Sequence, residues 1–82
     1  MEELLRRLTE AEKAADEAER AYNEAPESAE AEMAFDKAYN EEFKLYMEAA
    51  KEIVKITNGK IDFKTAKAMI KIKRNELEAL FA

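Results

Sequence analysis

Apolar residues recur at alternating spacings of four and three along the first segment of the chain. The seam that they form consists of Leu4, Leu8, Ala11, Ala15, Ala18, Tyr22 and Ala25. This spacing places all of its members on one side of an α-helix and is typical of helices that pack as in a coiled coil. We therefore predict a first helix over residues 2–24, with a seam that is leucine at one end and mostly alanine elsewhere.

The second segment carries two apolar stripes side by side. The first stripe is Ala31, Ala34, Ala38, Leu45, Ala49 and Ile56, and the second is Phe35, Tyr39, Phe43, Tyr46, Ala50 and Ile53. Pro26 suits a turn before a helix, and Gly59 suits a helix C-terminus. We predict a second helix over residues 27–57, and a single helix bent at Pro26 is the alternative. An apolar face of this width needs two neighbouring helices.

Helical spacing predicts that the aromatic side chains of the second stripe belong to the core. They are Phe35, Tyr39, Phe43 and Tyr46. We expect the hydroxyls of Tyr39 and Tyr46 to stay at the edge of the core, where water or a carboxylate satisfies them.

A third helix is predicted over residues 62–80, with Asp62 as its N-cap. Its apolar face is Phe63, Ala66, Met69, Ile70, Leu77, Leu80 and Phe81. The expected fold is all-α: one domain over residues 1–82, built as a long antiparallel helical hairpin plus a shorter third helix, a three-helix bundle. The second helix spans about 45 Å and the third only about 30 Å, so we expect the tip near Pro26 to project.

Composition supports an all-helical fold and limits the cellular setting. One glycine, one proline and 40% charged residues are typical of long helices, while seven aromatic residues and four methionines argue against disorder. The chain has no cysteine and no run of the roughly 18 apolar residues that a membrane span needs. We expect no membrane span and a cytoplasmic protein.

Charge is segregated along the chain, whose net charge is −5. Residues 10–42 hold twelve carboxylates and three cations, which is −9, and residues 55–74 hold seven cations and one aspartate, which is +6. In an antiparallel hairpin, the acidic stretch lies at the tip of both long helices. We therefore expect one end of the molecule to be strongly negative.

The basic residues form a row at spacings of three and four on the third helix: Lys60, Lys64, Lys67, Lys71 and Arg74. In the structural interpretation, their stems cover the edge of the core and their charged ends meet glutamates of the other helices. In the functional interpretation, the row contacts nucleic acid, an anionic membrane or an acidic protein. The overall acidity of the protein opposes nucleic-acid binding, because the remaining carboxylates repel phosphates.

The acidic tip leads to a different hypothesis, in which its carboxylates bind a basic surface of a partner protein. The candidate residues are Glu24, Glu27, Glu30, Glu32 and Asp36. We predict an adaptor or inhibitor that acts by protein–protein interaction, and one form of the hypothesis is that it masks a nucleic-acid-binding surface. Small acidic phage-encoded inhibitors offer an analogy. The alternatives are a nucleic-acid-binding or regulatory protein and a structural homo-oligomer, including a homodimer formed through the tip.

Residue chemistry argues against an enzyme. The chain has neither histidine nor cysteine, and its few hydroxyls stand in no recognisable catalytic motif. "TNGKIDFKTAKA" holds only parts of a calcium loop, and a di-metal site of the helical-bundle type normally includes histidine. We predict no catalytic residue, no metal site and no cofactor.

Overall fold

The chain folds into four α-helices joined by short turns. The computed structural model describes residues 1–81, without the side chain of residue 81. The helices are α1 (Glu2–Glu24), α2 (Ala29–Ile56), α3 (Phe63–Ile72) and α4 (Arg74–Phe81). The described residues contain no strand, so the predicted all-α class is confirmed. The predicted count of three helices is wrong, because the last helix is divided in two.

α1 and α2 lie side by side and run in opposite directions, and we call them the helical hairpin. Near the turn, the ring centroids of Tyr22 and Phe35 are 5.7 Å apart. Further from the turn, Leu8 of α1 lines the same groove as Phe43 and Tyr46 of α2. α2 packs against α1 and α3, and α4 packs against α1 and α3. α2 thus has two neighbouring helices, although they do not cover its two apolar stripes along their whole length.

Pro26 and Ser28 determine the turn of the hairpin. Pro26 lies in the turn itself. The hydroxyl oxygen of Ser28 accepts a hydrogen bond of 3.2 Å from the amide of Ala31, so Ser28 is the N-cap of α2. Because a cap residue precedes the helix, α2 begins at Ala29 and not at the predicted residue 27.

Two left-handed residues end α2 in a Schellman motif. Asn58 has a φ of 54° and Gly59 a φ of 79°. The amide of Gly59 donates to the carbonyl of Val54 at 2.9 Å, and the amide of Asn58 donates to the carbonyl of Lys55 at 3.2 Å. Asparagine and glycine tolerate this conformation better than other residues do. α2 therefore stops at Ile56, one residue before the predicted end.

Asp62 starts α3, and its carboxylate accepts a hydrogen bond of 2.7 Å from the amide of Thr65. The helix predicted over residues 62–80 is interrupted at Lys73, where φ is −119° and ψ is 34°. Just after the break, the Nε of Arg74 donates to the carbonyl of Ile70 at 2.9 Å, which satisfies one acceptor at the end of α3.

The break directs α4 onto α1 as well as α3. In this position Leu77 is buried in the core with 2% of its surface exposed. Leu80, predicted on the same apolar face, is 71% exposed. Leu77 therefore faces the core, whereas Leu80, three residues further along α4, lies outside it.

The hydrophobic core lies at one end of the molecule. Its members are Leu5, Leu8, Leu45, Ala49, Ala50, Ile53, Ala66, Ile70 and Leu77. They come from the start of α1, the second half of α2, and from α3 and α4. Leu5 is fully buried although the predicted seam did not include it.

The other end of the hairpin extends away from this core. Of residues 13–38, only Ala15 is buried, and we call this stretch the projecting end. The ten residues of α3 span about 15 Å, half of the length predicted, so α3 covers a correspondingly smaller part of α2. The molecule is accordingly elongated, with dimensions of 47 × 20 × 18 Å.

Candidate functional site

Arg74 holds the junction of α3 and α4 against α1. Its guanidinium makes two hydrogen bonds to the carboxylate of Glu12, at 2.7 and 3.0 Å, and a third to the hydroxyl of Thr9 at 3.2 Å. The Arg74 side chain is 17% exposed and that of Glu12 38%. A bidentate arginine–carboxylate pair of this kind is strong and directional. Arg74 is therefore occupied within the protein.

The predicted row of cations on α3 is divided between internal contacts and solvent. The ammonium nitrogen of Lys67 lies 5.3 Å from the ring centroid of Phe63, and that of Lys71 lies 5.3 Å from the ring centroid of Tyr46. Both distances are in the range of a cation–π interaction. Lys60 and Lys64 are exposed beside the start of α3. Three members of the row thus make contacts within the protein, although Lys71 remains exposed to solvent.

The predicted acidic surface is exposed, but its members do not all lie on one face. The five exposed side chains are Glu24, Glu27, Glu30, Glu32 and Asp36. Glu24 and Glu27 lie on either side of the Ala25–Pro26 pair at the turn. Glu32 and Asp36 are four residues apart on α2 and share a face, whereas Glu30 lies on another side of the helix.

The face of α2 that carries Glu32 and Asp36 continues into an aromatic groove between the hairpin and α3. The groove has a volume of about 290 Å³ and is lined by Leu8, Glu12, Tyr39, Glu42, Phe43, Tyr46, Lys67 and Lys71. Tyr39 is 57% exposed and Phe43 is 55% exposed. The prediction that these two rings lie in the core is therefore wrong. The physical reason is the shortness of α3, which ends its cover of α2 near Tyr46.

Tyr46 marks the point where the cover by α3 ends. Its hydroxyl donates a hydrogen bond of 2.9 Å to the backbone carbonyl of Lys67. Water or a carboxylate is the predicted partner of this hydroxyl, and the acceptor is instead the backbone of α3. One wall of the aromatic groove is thereby fixed, since Tyr46 joins α2 directly to α3.

Glu42 lies in the aromatic groove with an altered proton affinity. Partial burial raises the pKa of Glu42, and the neighbouring carboxylates of Glu12 and Asp16 raise this pKa further, while Lys71 and Arg74 oppose the change. Within the described residues, no cation lies within 4 Å of the Glu42 carboxylate. Glu12 has Arg74 as its partner, so Glu42 is the groove carboxylate that lacks an ion pair in this part of the chain.

Sequence reasoning located the acidic end but missed the aromatic groove. Glu12 and Glu42 entered only the count of charges, and Tyr39 and Phe43 were assigned to the core. The available signal was the difference in length between the second and third helices, which predicts that part of the α2 face stays uncovered. It did not indicate which aromatic residues lie beyond the end of α3.

Comparison of the chain with protein-family models, with curated proteins and with solved structures finds no match. Among residues 1–81, no helix is both long and apolar enough to cross a membrane. The same residues contain no group of three or more carboxylates arranged to hold a metal ion.

Proposed function

We propose that this protein is a non-catalytic interaction module, an adaptor or inhibitor, that binds a basic surface of a partner protein. The acidic projecting end and the adjoining aromatic groove provide the binding surface. The observation that carries the proposal is the exposure of Tyr39 and Phe43 next to a run of exposed carboxylates. The need for solubility explains why a small protein exposes many carboxylates, but it gives no reason for aromatic rings to be exposed beside them.

The distribution of charge supports a basic partner. The −9 stretch, residues 10–42, contains the projecting end and the α1 and α2 carboxylates of the groove. A surface of one sign attracts an oppositely charged partner and accelerates its association. One biological consequence of such binding is the masking of a basic surface that otherwise holds nucleic acid.

Direct contact of this protein with nucleic acid has weaker support. Binding of duplex DNA depends on cations that neutralise phosphates, and each cation must be free to do so. Arg74 pairs with Glu12, while Lys67 and Lys71 lie over aromatic rings. The net charge of −5 also opposes binding of phosphates. A mobility-shift assay at low salt, with duplex DNA as the probe, tests this alternative.

The proposal is tested by neutralising the acidic surface. The partner is first cross-linked to the protein in an extract of the cells that make it, identified by mass spectrometry and purified. The tip variant changes Glu24, Glu27, Glu30 and Glu32 to Gln. We expect its affinity for the purified partner to fall by about tenfold or more at low salt, with a weaker dependence on salt, because surface electrostatics are screened as salt rises.

A matched variant controls for net charge. It changes Glu2, Glu3, Glu48 and Glu76 to Gln, which removes the same charge from exposed positions away from the tip. The tip variant removes two glutamates from the first turn of α2, and the control removes three, two from the first turn of α1 and one from that of α4, so any loss of helix stability is at least as large in the control. We expect the control to retain wild-type affinity within about twofold. Equal losses in the two variants, or no loss in either, would overturn the proposal.

A further inference from the structure

We infer that the aromatic groove binds an arginine side chain of the partner, held between the rings of Tyr39 and Phe43 and the carboxylate of Glu42. This inference rests on the proposed function and names the contact at its centre. The occupant is a basic protein segment that presents an arginine. Three features of the groove lead to this assignment: its uncovered rings, its unpaired carboxylate and the contacts of its neighbours.

The rings of Tyr39 and Phe43 provide the apolar part of the site. Both residues are more than half exposed, although they lie on the same helix as the buried core of α2. The ring of Tyr39 has one aromatic neighbour, Phe35, at 6.2 Å between centroids. The groove beside Tyr39 and Phe43 has a volume of about 290 Å³. This space accommodates a long side chain that covers the rings. Such a contact removes apolar surface from water, which favours binding.

Two carboxylates and two lysines line the groove, and each lysine lies over an aromatic ring. The position in the groove that favours a cation is therefore Glu42, which has no ion pair among the described residues. Glu42, Glu12 and Asp16 lie close enough to one another for each of the other two to affect the proton affinity of Glu42. Opposing them are Lys71 and Arg74, and Arg74 is committed to Glu12. A partner cation at Glu42 would supply the ion pair that the described residues do not.

Adjacent contacts within the protein already show this chemistry. Lys71 lies over the ring of Tyr46, and the guanidinium of Arg74 forms a bidentate pair with Glu12. The same combination of aromatic ring and carboxylate recurs closer to the tip, in Tyr39, Phe43 and Glu42. There, no cation of the described residues is paired with the carboxylate. The partner's side chain would therefore continue a pattern that α3 begins.

Arginine fits the site better than lysine for physical reasons. Its guanidinium is planar and weakly hydrated, so it stacks on aromatic rings and pairs with a carboxylate through two hydrogen bonds at once. The ammonium group of lysine is compact and strongly hydrated, and it makes no planar stack. Lys71 occupies the end of the groove at Tyr46, so the partner's arginine enters from the side of Tyr39, toward the tip.

The first experiment uses peptides and the full, isotope-labelled chain. The probe is a short, acetylated and amidated peptide rich in arginine. One control peptide replaces each arginine with lysine, and another replaces each with citrulline, which has a similar shape but no charge. We expect saturable NMR shifts at Tyr39, Glu42 and Phe43, with the arginine peptide binding about threefold or more tightly than the lysine peptide. Comparable binding of the citrulline peptide would overturn the inference.

Matched variants test the residues. Glu42→Gln and Phe43→Ala should each weaken binding of the arginine peptide by about fivefold or more. Glu48→Gln, which removes an exposed carboxylate elsewhere on α2, should leave it unchanged within about twofold. Lys71→Met removes the competing cation at the Tyr46 end of the groove and should therefore increase the affinity for the arginine peptide. If Glu42→Gln and Glu48→Gln lower the affinity for the arginine peptide equally, the peptide binds by nonspecific charge attraction, and the inference is overturned.

The purified partner separates this inference from the proposed function. If the tip variant loses the partner while Glu42→Gln and Phe43→Ala retain it, the arginine contact is wrong, and the proposed function stands with the acidic projecting end alone as its binding surface. If neither the tip nor the groove variants lose the partner, both are wrong. The groove could instead bind a second copy of the chain. In that case the mass from light scattering would rise with protein concentration, and the same NMR signals would shift with protein concentration when no peptide is present. This result would overturn the inference.

Discussion

At the scale of single residues, the fold moves the pKa values of two described carboxyls in opposite directions. The pKa of Glu42 is raised, first by burial and then by Glu12 and Asp16. The pKa of Asp62 is lowered, mainly by the hydrogen bond from the Thr65 amide to its carboxylate. One carboxyl is thus more easily protonated in the folded state, and the other stays ionised further into acid.

Glu42 should make the protein less stable as pH rises. Its pKa is higher in the folded state than in the unfolded state, so its contribution to stability is complete below the unfolded pKa and is lost as pH rises through the folded pKa. Glu42→Gln removes this dependence. As pH rises from mildly acid to neutral, we expect the urea midpoint of the variant to increase relative to that of the wild type.

Glu48→Gln serves as the control for this pH series, because Glu48 is an exposed glutamate of the same helix. Urea midpoints measured at several pH values check the prediction. If the midpoints of wild type and Glu42→Gln differ by the same amount at every pH, the proposed effect of burial on Glu42 is incorrect.

At the scale of helices, the difference in burial between Leu77 and Leu80 provides a direct test of the α3–α4 break. Leu77→Ala should lower the free energy of unfolding by about 2–5 kcal/mol, because it opens a cavity in the core. Leu80→Ala should change it by less than about 0.5 kcal/mol, because that side chain is mostly in water. Chemical denaturation measures both values. Similar losses in the two variants would favour one unbroken helix.

The helix ends show what the sequence predicts well and where it fails. Asp62 was predicted as an N-cap, and Gly59 as a helix stop, because each residue type has a specific backbone role. The break at Lys73 could not be predicted in this way, since the surrounding "IKIKRN" has neither glycine nor proline. After the break α4 packs on α1, and a tertiary contact of this kind leaves no local signal in the sequence.

The candidate site likewise has one part that the sequence predicts and another that depends on tertiary packing. Counting charges located Glu24, Glu27 and the other exposed carboxylates, because net charge is a property of sequence alone. Helical periodicity placed Tyr39 and Phe43 on one face of α2 but could not say where α3 would stop. The aromatic groove depends on that endpoint, so it became visible only with the positions of the helices.

At the scale of the whole molecule, stability should be uneven from one end to the other. The core lies at the α3–α4 end, and residues 13–38 contain one buried side chain, Ala15. Regions with few buried contacts open with a low free energy, and core helices open only with global unfolding. We expect amides in the projecting end to exchange with solvent at least about tenfold faster than amides near Ile53.

Hydrogen exchange followed by NMR tests this prediction within single helices. The first and second halves of α2 provide an internal comparison, because both belong to one continuous helix. Uniform protection along α2 would show that the projecting end opens only together with the core. The prediction would then be wrong, and the projecting end would be a rigid surface.

The pairing of Arg74 with Glu12 has a consequence for how the chain folds during its synthesis. Sixty-two positions separate the two residues, and Leu77 joins the same core as Leu5 and Leu8. Helical hairpins form early on the ribosome because their partners are near in sequence. The core leucines of α1, however, stay incompletely covered until α4 has been translated, so the newly made protein depends on α4 to complete its core and become resistant to aggregation.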